Sequence, residues 1–521
     1  MKKIMALTII LALVLGGLYG CSNVSAGEGN AKNGTIATKD EGQKKAHDDS
    51  LVIAIESEPT TLNPYDHAAV TSGYMNQMTY NRLFRIDTDT LEPVPDLVES
   101  YENIDESTWV FTIKQGVMFH DGTEMTAEDV KASMEYARNF TSSNKYTAFW
   151  KNIEVTDKYT VKITTNGSYA LILNDLSANG NTIVPKHLID SGNDFNKNPI
   201  GSGPYKFVQW TLGDNLTFVK NKTYFDTEHM PSITNITWRI IPEGSSRTIA
   251  LETGEVDLVI DVDTADIERI KDNNDLDIAQ KDGTRMNFMG INTERYPFNN
   301  LYFRKAVSAA IDKSAVLTVA TNGLGTVSMS PNPGSYKGAT QENTVPYSLD
   351  QAKAYLAQSG IDPSQAAFSC ITYTDTTRRT AEVIQSYLLE LGITMEIESM
   401  DFAAYLSNML EGNFDAVVGG YSSSDLLTYM KGLWYSASIG ASNVPRVNDP
   451  EIDSLIELAM TQLDAGDRAA TLEKVCAKVN DQCLMVSLYT SSVIRAYNAH
   501  LGGVNVSASG MMLYQDLYWM E

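Results

Sequence analysis

The run Trp109-Val-Phe-Thr-Ile-Lys-Gln-Gly-Val-Met-Phe-His-Asp-Gly122 is followed closely by Thr126-Ala-Glu-Asp-Val130. Its first five residues are all β-branched or aromatic, a composition that favours a strand. Thr126 and Asp129 have the spacing of a capping box, in which each side chain binds the other residue's backbone N–H at the start of a helix. The run therefore predicts a strand, a connecting turn and a helix in quick succession.

The alternation of strands and helices extends on both sides of this run. Leu51-Val-Ile-Ala-Ile55 has the pattern of a short buried strand, and residues 414–420 have it too. Ser348-Leu-Asp-Gln351 is a second capping box, and it opens a helix that closes at Gly360. Residues 401–412 carry the start and stop signals of another helix. This alternation predicts domains of the α/β class.

Length and charge narrow the possible functions. The 521 residues are 43% hydrophobic, which is enough for two or three cores. The formal net charge of −25 at pH 7 argues against a nucleic-acid ligand and against electrostatic binding to anionic lipid. No second long apolar stretch follows the N-terminus, so the sequence predicts no membrane-spanning helix after Cys21.

The N-terminus carries the pattern of an export signal. Two lysines precede the apolar run from Ile4 to Leu15, which is shorter than the roughly 20 residues of a membrane span. The ending Leu18-Tyr-Gly-Cys21 resembles the lipobox of bacterial lipoproteins, whose cysteine is acylated. We therefore expect a signal peptide at residues 1–20, a lipid anchor on Cys21 and a flexible polar tether at residues 21–49. This places the protein on the extracytoplasmic side of the cell membrane.

Three cysteines follow Cys21, at positions 370, 476 and 483. An odd number leaves at least one thiol free or paired with another molecule. Cys476 lies on an apolar stripe of a predicted helix, which favours simple burial. A bridge between Cys476 and Cys483 requires this helix to end near Asn480, because an unbroken helix holds the two about 10 Å apart. Both alternatives remain open at this level.

The run at residues 109–122 resembles the signature of one large family, the solute-binding lipoproteins of dipeptide and oligopeptide ABC transporters. Further matches follow in the family's order over most of the chain. They are Glu58-Pro-Thr-Thr-Leu-Asn-Pro64, Gly201-Ser-Gly-Pro-Tyr205 with Asn221-Lys-Thr-Tyr-Phe225, Thr253-Gly-Glu-Val-Asp257, and Arg304-Lys-Ala-Val-Ser-Ala-Ala-Ile-Asp-Lys313.

The resemblance implies an α/β fold of the periplasmic-binding-protein type, with two lobes joined by hinge strands and a subdomain inserted in the first lobe. The first lobe is then discontinuous and comprises residues 50–82, 200–288 and 488–521. The inserted subdomain comprises residues 83–199, and the second lobe comprises residues 289–487.

The sequence contains no recognisable catalytic constellation. It has no Gly-x-Ser-x-Gly, His-Glu-x-x-His or Cys-x-x-Cys motif and no Gly-Lys-Ser/Thr loop. The six histidines show no pair at metal-ligand spacing. His120 beside Asp121 falls within the signature turn, where a structural hydrogen bond is the favoured interpretation. We expect no enzyme activity, no cofactor and no metal site.

In the resembling family, an acidic residue after a Gly-Trp pair in the second lobe binds the α-amino group of the peptide. The corresponding stretch here is Gly419-Gly-Tyr-Ser-Ser-Ser-Asp-Leu-Leu-Thr-Tyr429. Asp425 is its only acid, and Ser424 occupies the position that the family's acid takes in some relatives. Asp425 therefore either binds the ligand's amino group or caps the following helix. Ser422 and Ser424 also suit a hydroxyl-rich or amide ligand.

Cationic and aromatic candidates for the cleft complete the predicted site. For a ligand carboxylate the candidates are Arg285, Arg378 and Arg379, of which Arg285 is preferred because it lies at the proposed crossing between lobes. The candidate aromatic residues are Tyr65, Tyr421, Trp434 and Tyr435, each of which is equally compatible with a core position.

The resemblance implies a substrate-binding protein that captures a short peptide between its lobes and delivers it to an ABC importer. Its expected partners are a permease pair with two cytosolic ATPases and the membrane, through the N-terminal lipid, and the protein is expected to be a monomer. Two alternatives stay open. One is the same fold with a non-peptide solute, such as a nickel chelate, haem, an opine or an oligosaccharide. The other is a peptide-sensing lipoprotein without an importer.

Overall fold

Strand formation begins at Ser50, immediately after the predicted tether. The computed structural model describes residues 49–66 and 70–520. The predicted signal peptide, Cys21 and all but the last residue of the tether lie outside the described residues. A compact unit spans His47–Glu521. No helix of the described residues is long and apolar enough to cross a membrane.

The described residues contain nineteen strands, most of them short. They are β1 (Ser50–Ile55), β2 (Phe84–Ile86), β3 (Pro93–Pro95), β4 (Val98–Asp105), β5 (Thr108–Ile113), β6 (Trp150–Asp157), β7 (Thr160–Thr165), β8 (Tyr205–Thr211), β9 (Asn215–Lys220), β10 (Asn235–Ile240), β11 (Leu258–Val259), β12 (Leu276–Ile291), β13 (Gly325–Val327), β14 (Phe368–Thr372), β15 (Met395–Ser399), β16 (Ala416–Tyr421), β17 (Met485–Asn498), β18 (Leu501–Gly502) and β19 (Tyr518–Trp519).

Fifteen α-helices lie in the same part of the chain. They are α1 (Val70–Thr79), α2 (Ala127–Ala137), α3 (Thr141–Thr147), α4 (Ile172–Ser177), α5 (Lys186–Asp190), α6 (Gly244–Glu252), α7 (Ile267–Lys271), α8 (Leu301–Ala310), α9 (Lys313–Thr321), α10 (Leu349–Ser359), α11 (Asp375–Leu389), α12 (Phe402–Glu411), α13 (Leu426–Leu433), α14 (Pro450–Thr461) and α15 (Ala465–Asp481).

Eleven strands form one sheet, with two long antiparallel strands at its centre. The strand order is β15-β14-β16-β12-β17-β11-β1-β10-β9-β8, and β13 pairs with β17. Strands β12 and β17 pair from Leu276 with Asn498 to Gly290 with Met485. On one side of them β14 is parallel to β15 and β16, and on the other β1 is parallel to β10 and β11. The chain therefore passes between two groups of strands through β12 and β17.

The stretch around the quoted run forms a separate four-stranded antiparallel sheet. Its order is β4-β5-β7-β6, and β5 carries the predicted strand residues 109–113. Helix α2 begins at the predicted position, and the Asp129 carboxylate accepts hydrogen bonds from the Thr126 backbone N–H at 2.8 Å and its hydroxyl at 2.9 Å. The predicted strand, turn and helix are confirmed.

The helix boundaries at residues 348–360 and 401–412 are also confirmed. The Ser348 hydroxyl accepts the Gln351 backbone N–H at 3.2 Å, and Gly360 ends α10 with φ of +69°. Asp401 caps α12 through the Ala404 backbone N–H at 3.0 Å. A left-handed residue is the usual end of a helix, and glycine adopts that conformation without a Cβ penalty.

The three cysteines in the described residues are free and buried. Helix α15 ends at Asp481, near the position that a bridge requires, yet Cys483 packs elsewhere: its thiol donates to the Arg304 carbonyl oxygen at 3.5 Å. Cys476 lies in the apolar core with Leu472 and Val475. The structure thus has simple burial instead of a disulfide.

Candidate ligand-binding site

One large cavity, the main cavity, has a volume of about 660 Å³. This size lies within the roughly 300–1,000 Å³ that is typical of ligand sites. Its wall is formed by residues from the segments 64–96, 142–180, 204–229, 284, 421–428 and 507–515. The cavity therefore lies beside the long strand β12, where segments that are distant in sequence meet.

The serine loop, residues 422–424, forms one part of this wall. It follows strand β16 directly and leads into helix α13. The Ser423 carbonyl oxygen accepts the Tyr336 hydroxyl, and the Ser424 hydroxyl donates to Asp425 at 2.9 Å. Within the described residues, the backbone N–H groups of the loop and the Ser422 and Ser423 hydroxyls have no hydrogen-bond partner. The loop thus presents main-chain and hydroxyl groups to the cavity, and Tyr421 lines the cavity beside it.

Asp425 lies next to the serine loop but points toward its own helix. Its Oδ1 accepts the Thr428 backbone N–H at 2.8 Å, and its Oδ2 accepts the Thr428 hydroxyl at 2.7 Å. It borders a small neighbouring cavity of about 60 Å³ and is absent from the lining of the main cavity. Of the two predicted roles, the helix cap is confirmed, whereas the contact with a ligand's amino group stays a prediction.

Arg285 opens into a different cavity. The neighbouring residue Thr284 lines the main cavity, whereas Arg285 lines a cavity of about 170 Å³ together with Asn287, Tyr373 and several threonines of α11. Successive side chains of a strand point to opposite faces, which accounts for the separation. Arg285 therefore lies near the base of the serine loop, since Met286 pairs with Tyr421, but its side chain lines the neighbouring cavity and not the main one.

The two other predicted cations lie at the surface of α11. Arg378 forms ion pairs with Asp375 at 3.4 Å and with Glu382 at 2.5 Å. Arg379 is exposed, and neither side chain lines the main cavity. Both side chains lie on the solvated face of α11.

Three of the predicted aromatic residues lie outside the lining of the main cavity. Tyr65 is fully buried, and its hydroxyl donates to the Thr182 carbonyl oxygen at 2.8 Å. Trp434 is also buried, and its Nε1 donates to Asn332 Oδ1 at 2.9 Å. The Tyr435 hydroxyl donates to the Glu457 carboxylate at 2.8 Å. Tyr421 alone among the four lines the main cavity.

His120 has the structural role that the sequence favoured. Its Nε2 lies 3.0 Å from the Gly203 carbonyl oxygen, and burial lowers its pKa to about 4. Asp121 contacts His187 at 3.1 Å instead. Among the described residues, no group of three or more His, Cys, Asp and Glu is arranged to hold a metal ion.

The main cavity also contains charged residues that the sequence reasoning missed. The basic ones are Arg82 and Arg85, in Asn81-Arg-Leu-Phe-Arg85, and the acidic ones are Asp96, Asp175 and Asp226. Two arginines three positions apart in an otherwise apolar stretch were a usable signal. Because the two arginines are far from the serine loop in sequence, the sequence does not show that they line the same cavity.

Burial governs the electrostatics at this end of the cavity. Burial lowers the pKa of Arg82, although the Asp96 carboxylate acts in the opposite direction. Burial also raises the pKa of Asp96, although the hydrogen bond from the Arg82 backbone N–H lowers it. The pKa of Tyr224 is raised by burial and by Asp96. Polar groups here are held in a poorly solvated environment, where charge-assisted contacts with a ligand are strong.

Comparison with known proteins identifies the relatives of this chain. The model of the family described as "Bacterial extracellular solute-binding proteins, family 5 Middle" matches residues 92–441. Glutathione-binding protein GsiB of Salmonella paratyphi A is 26% identical over 480 residues, which cover 87% of this chain and 91% of the relative. That relative is a binding protein by name, not an enzyme.

Two solved structures share the fold. HbpA2 from Haemophilus parasuis has a TM-score of 0.83 at 24% identity and covers 91% of this chain and 100% of that chain. The ABC transporter-associated periplasmic binding protein DppA from Helicobacter pylori was solved in complex with the peptide STSA. It has a TM-score of 0.75 at 23% identity over 91% of this chain and 98% of that chain. The α/β periplasmic-binding-protein fold is therefore confirmed.

Proposed function

Because the chain belongs to the family 5 bacterial extracellular solute-binding proteins, we propose that it is the substrate-binding component of an ABC importer and captures short peptides in the main cavity. The bound peptide is then delivered to the permease. In this proposal the protein catalyses no reaction. It captures the peptide, closes around it and docks on the permease.

The serine loop is the observation that carries the peptide assignment. Its backbone N–H groups at residues 422–424 have no partner among the described residues, and they line the main cavity directly after strand β16. An extended peptide binds such a segment by main-chain hydrogen bonds, as an added strand does. This mode tolerates many side chains, because the main chain supplies the contacts.

Closure of two lobes around the ligand is part of the proposal. The proposed first lobe comprises residues 50–82, 200–288 and 488–521, the inserted subdomain comprises residues 83–199, and the second lobe comprises residues 289–487. Strands β12 and β17 run between them as the hinge. Closure removes water from the main cavity and so strengthens its polar contacts.

The proposed anchor is a lipid on Cys21, followed by a tether at residues 21–49 that holds the binding unit away from the bilayer. Labelling with radioactive palmitate tests this assignment. The label should enter the wild-type protein and be lost from Cys21→Ala. A label that persists in the variant assigns the lipid to another residue.

Native mass spectrometry of the protein purified from rich medium without refolding tests the ligand class. A series of added masses that fit short peptides supports the proposal and gives their length. A single non-peptide mass keeps the binding-protein fold but replaces the ligand by a chelate, haem, opine or oligosaccharide. Glutathione, a tripeptide, would be recognised by its own mass.

A peptide sensor without an importer shares the same fold and cavity. Uptake separates the two roles. Cells that carry the chain and its permease should import a labelled form of the recovered peptide, and cells that lack the chain should not. Equal uptake by both strains would favour the sensor.

A further inference from the structure

Two arginines in the wall of the main cavity, Arg82 and Arg85, form a cationic patch, here named the arginine pair. The Arg82 side chain is buried, with 8% exposure, and its Nη1 donates to Asn179 Oδ1. Its Nε, however, is buried without any hydrogen-bond partner. With less than 1 Å² of accessible surface this nitrogen is closed to the main cavity, so a ligand contact in this wall falls to Arg85.

Arg85 is half-buried beside it. Its guanidinium makes no hydrogen bond and no ion pair with any described residue. The positive charge of Arg85 is one of the influences that lower the pKa of Arg82. Both side chains line the main cavity, and an anion beside Arg85 would offset positive charge in this wall.

The nearby acids are already engaged. The Asp96 carboxylate accepts the Arg82 backbone N–H at 3.1 Å and the Asn81 side-chain amide at 3.2 Å. Asp175 accepts the Tyr169 hydroxyl at 2.6 Å. Neither acid pairs with a guanidinium nitrogen of the arginine pair within 4.0 Å among the ion pairs of the described residues.

Asp226 is the remaining acid of this wall. It accepts the backbone N–H groups of Glu228 at 3.2 Å and His229 at 3.3 Å, in the turn that follows it. His229 in turn pairs with Asp516 at 2.8 Å. The internal acids thus leave the arginine pair without a counter-ion in direct contact.

We infer that the arginine pair binds the carboxylate end of the captured peptide, with Arg85 as the residue that contacts it. The inference rests on the proposed function. A guanidinium presents a planar fork of N–H groups that matches a carboxylate in a bidentate manner. The ligand's acid supplies Arg85 with the hydrogen-bond acceptor that the described residues do not provide.

This assignment names a ligand class and an orientation. The ligand carries a free carboxylate, and peptides with an amidated C-terminus bind more weakly. The arginine pair and the serine loop line the same cavity. A peptide fixed at its carboxylate by Arg85 therefore has its main chain in the cavity that residues 422–424 border. Arg285, which opens into the neighbouring cavity, is not needed for this contact.

A comparison of two peptide mixtures tests the inference. The probes are an equimolar mixture of Ala-Xaa-Ala tripeptides with free C-termini and the same mixture with C-terminal amides. Each is equilibrated with the purified protein, and the bound fraction is measured by mass spectrometry. The wild-type protein should bind the free acids about 10- to 100-fold more tightly, the range for a charge-assisted hydrogen bond. Arg85→Gln should abolish this preference.

Two further variants keep the result interpretable. Arg379→Gln removes an exposed arginine outside the main cavity, so it should keep the full preference. Arg85→Lys retains the charge without the planar fork and should fall between wild type and Arg85→Gln. Equal thermal midpoints verify that the variants fold, which the partial exposure of Arg85 favours.

The outcomes separate the inference from the proposed function. If wild-type protein binds acids and amides equally, or if Arg85→Gln keeps the preference, the arginine pair is not the carboxylate site, although peptide capture stands. If neither mixture binds, peptide capture of this length is wrong and the inference falls with it. Preference in wild type and in Arg379→Gln, with loss in Arg85→Gln, supports both.

Discussion

Asp425 provides a direct test of how the serine loop is built. The sequence left two roles for it, and its carboxylate now accepts hydrogen bonds from the Thr428 backbone, the Thr428 hydroxyl and the Ser424 hydroxyl. Asparagine keeps the capping ability of this position but removes its charge, whereas alanine removes both. The two substitutions therefore separate a helix cap from a charge that binds the ligand.

The structure gives the expected magnitudes. Asp425→Asn should change the free energy of unfolding by a few tenths of a kcal/mol, because an amide oxygen still accepts the Thr428 N–H. Asp425→Ala should cost about 1–2 kcal/mol, the range for loss of an N-cap. Since Asp425 does not line the main cavity, peptide affinity should stay within about twofold of wild type for Asp425→Asn.

Urea unfolding measures the stabilities, and binding of the Ala-Xaa-Ala mixture measures the affinity. Asp401 is the matched control, because it caps α12 through one backbone N–H at 3.0 Å and is absent from the lining of the main cavity. Asp401→Ala should lose a similar stability and keep the wild-type affinity.

A loss of affinity in Asp425→Asn would refute this reasoning. If the charge of Asp425 binds the ligand's amino group, its removal costs about 1.5–3 kcal/mol, or roughly 10- to 150-fold in affinity. Such a loss with unchanged stability would return the ligand contact to Asp425 and require its carboxylate to turn toward the main cavity.

Three other predictions concern groups in the interior. Burial lowers the pKa of Lys313 from 10.5 to about 8, so the free energy of unfolding should rise with pH between these values as the buried ammonium loses its proton; Lys313→Met should remove this rise when urea unfolding is compared at pH 7 and pH 10, and an equal rise in the variant would contradict this. Gly203→Ala would place its Cβ 2.5 Å from a backbone oxygen and should lower the thermal midpoint, whereas Gly334→Ala, with no atom within 4 Å, should not. The thiols of residues 370, 476 and 483 should react with Ellman's reagent only after unfolding and then in full; fewer than three equivalents would indicate a disulfide.

Local signals in the sequence located helix ends well. The Ser348 hydroxyl binds the N–H three residues later, and the Asp401 carboxylate does the same. A cap depends on groups within one turn, so the sequence contains all of its parts. The same holds for the capping box at Thr126, where Asp129 is the partner.

The candidate site depended on contacts that the sequence does not display. Arg82 meets Asn179, which lies 97 positions further along the chain, and only the folded topology brings them together. Arg285 was preferred because it lies at the proposed crossing between lobes, and the sequence does not show which cavity its side chain lines. Thr284 lines the main cavity, whereas its neighbour Arg285 faces another cavity, because strand side chains alternate in direction.

Aromatic residues show a third limit. Tyr65 and Trp434 are aromatic residues of the kind that line clefts, yet both lie in the core. The polar atom of each donates a hydrogen bond to a protein acceptor there. Tyr421 has the same chemistry and lines the main cavity. Core and cleft positions both favour an apolar ring with one polar atom, so residue type cannot separate them.

Ligand entry into the main cavity requires that contacts between the proposed inserted subdomain and second lobe break. Helix α14 ends with free carbonyl groups, and two of them are taken by the segment before α4: the Ala170 N–H binds the Met460 oxygen at 2.8 Å, and the Ser168 hydroxyl binds the Thr461 oxygen at 2.7 Å. Lys431, whose ammonium lies 5.2 Å from the Phe149 ring, adds a third polar contact, and one apolar cluster contains residues of both segments. Opening therefore requires that the polar contacts and the apolar packing between the proposed inserted subdomain and second lobe break together.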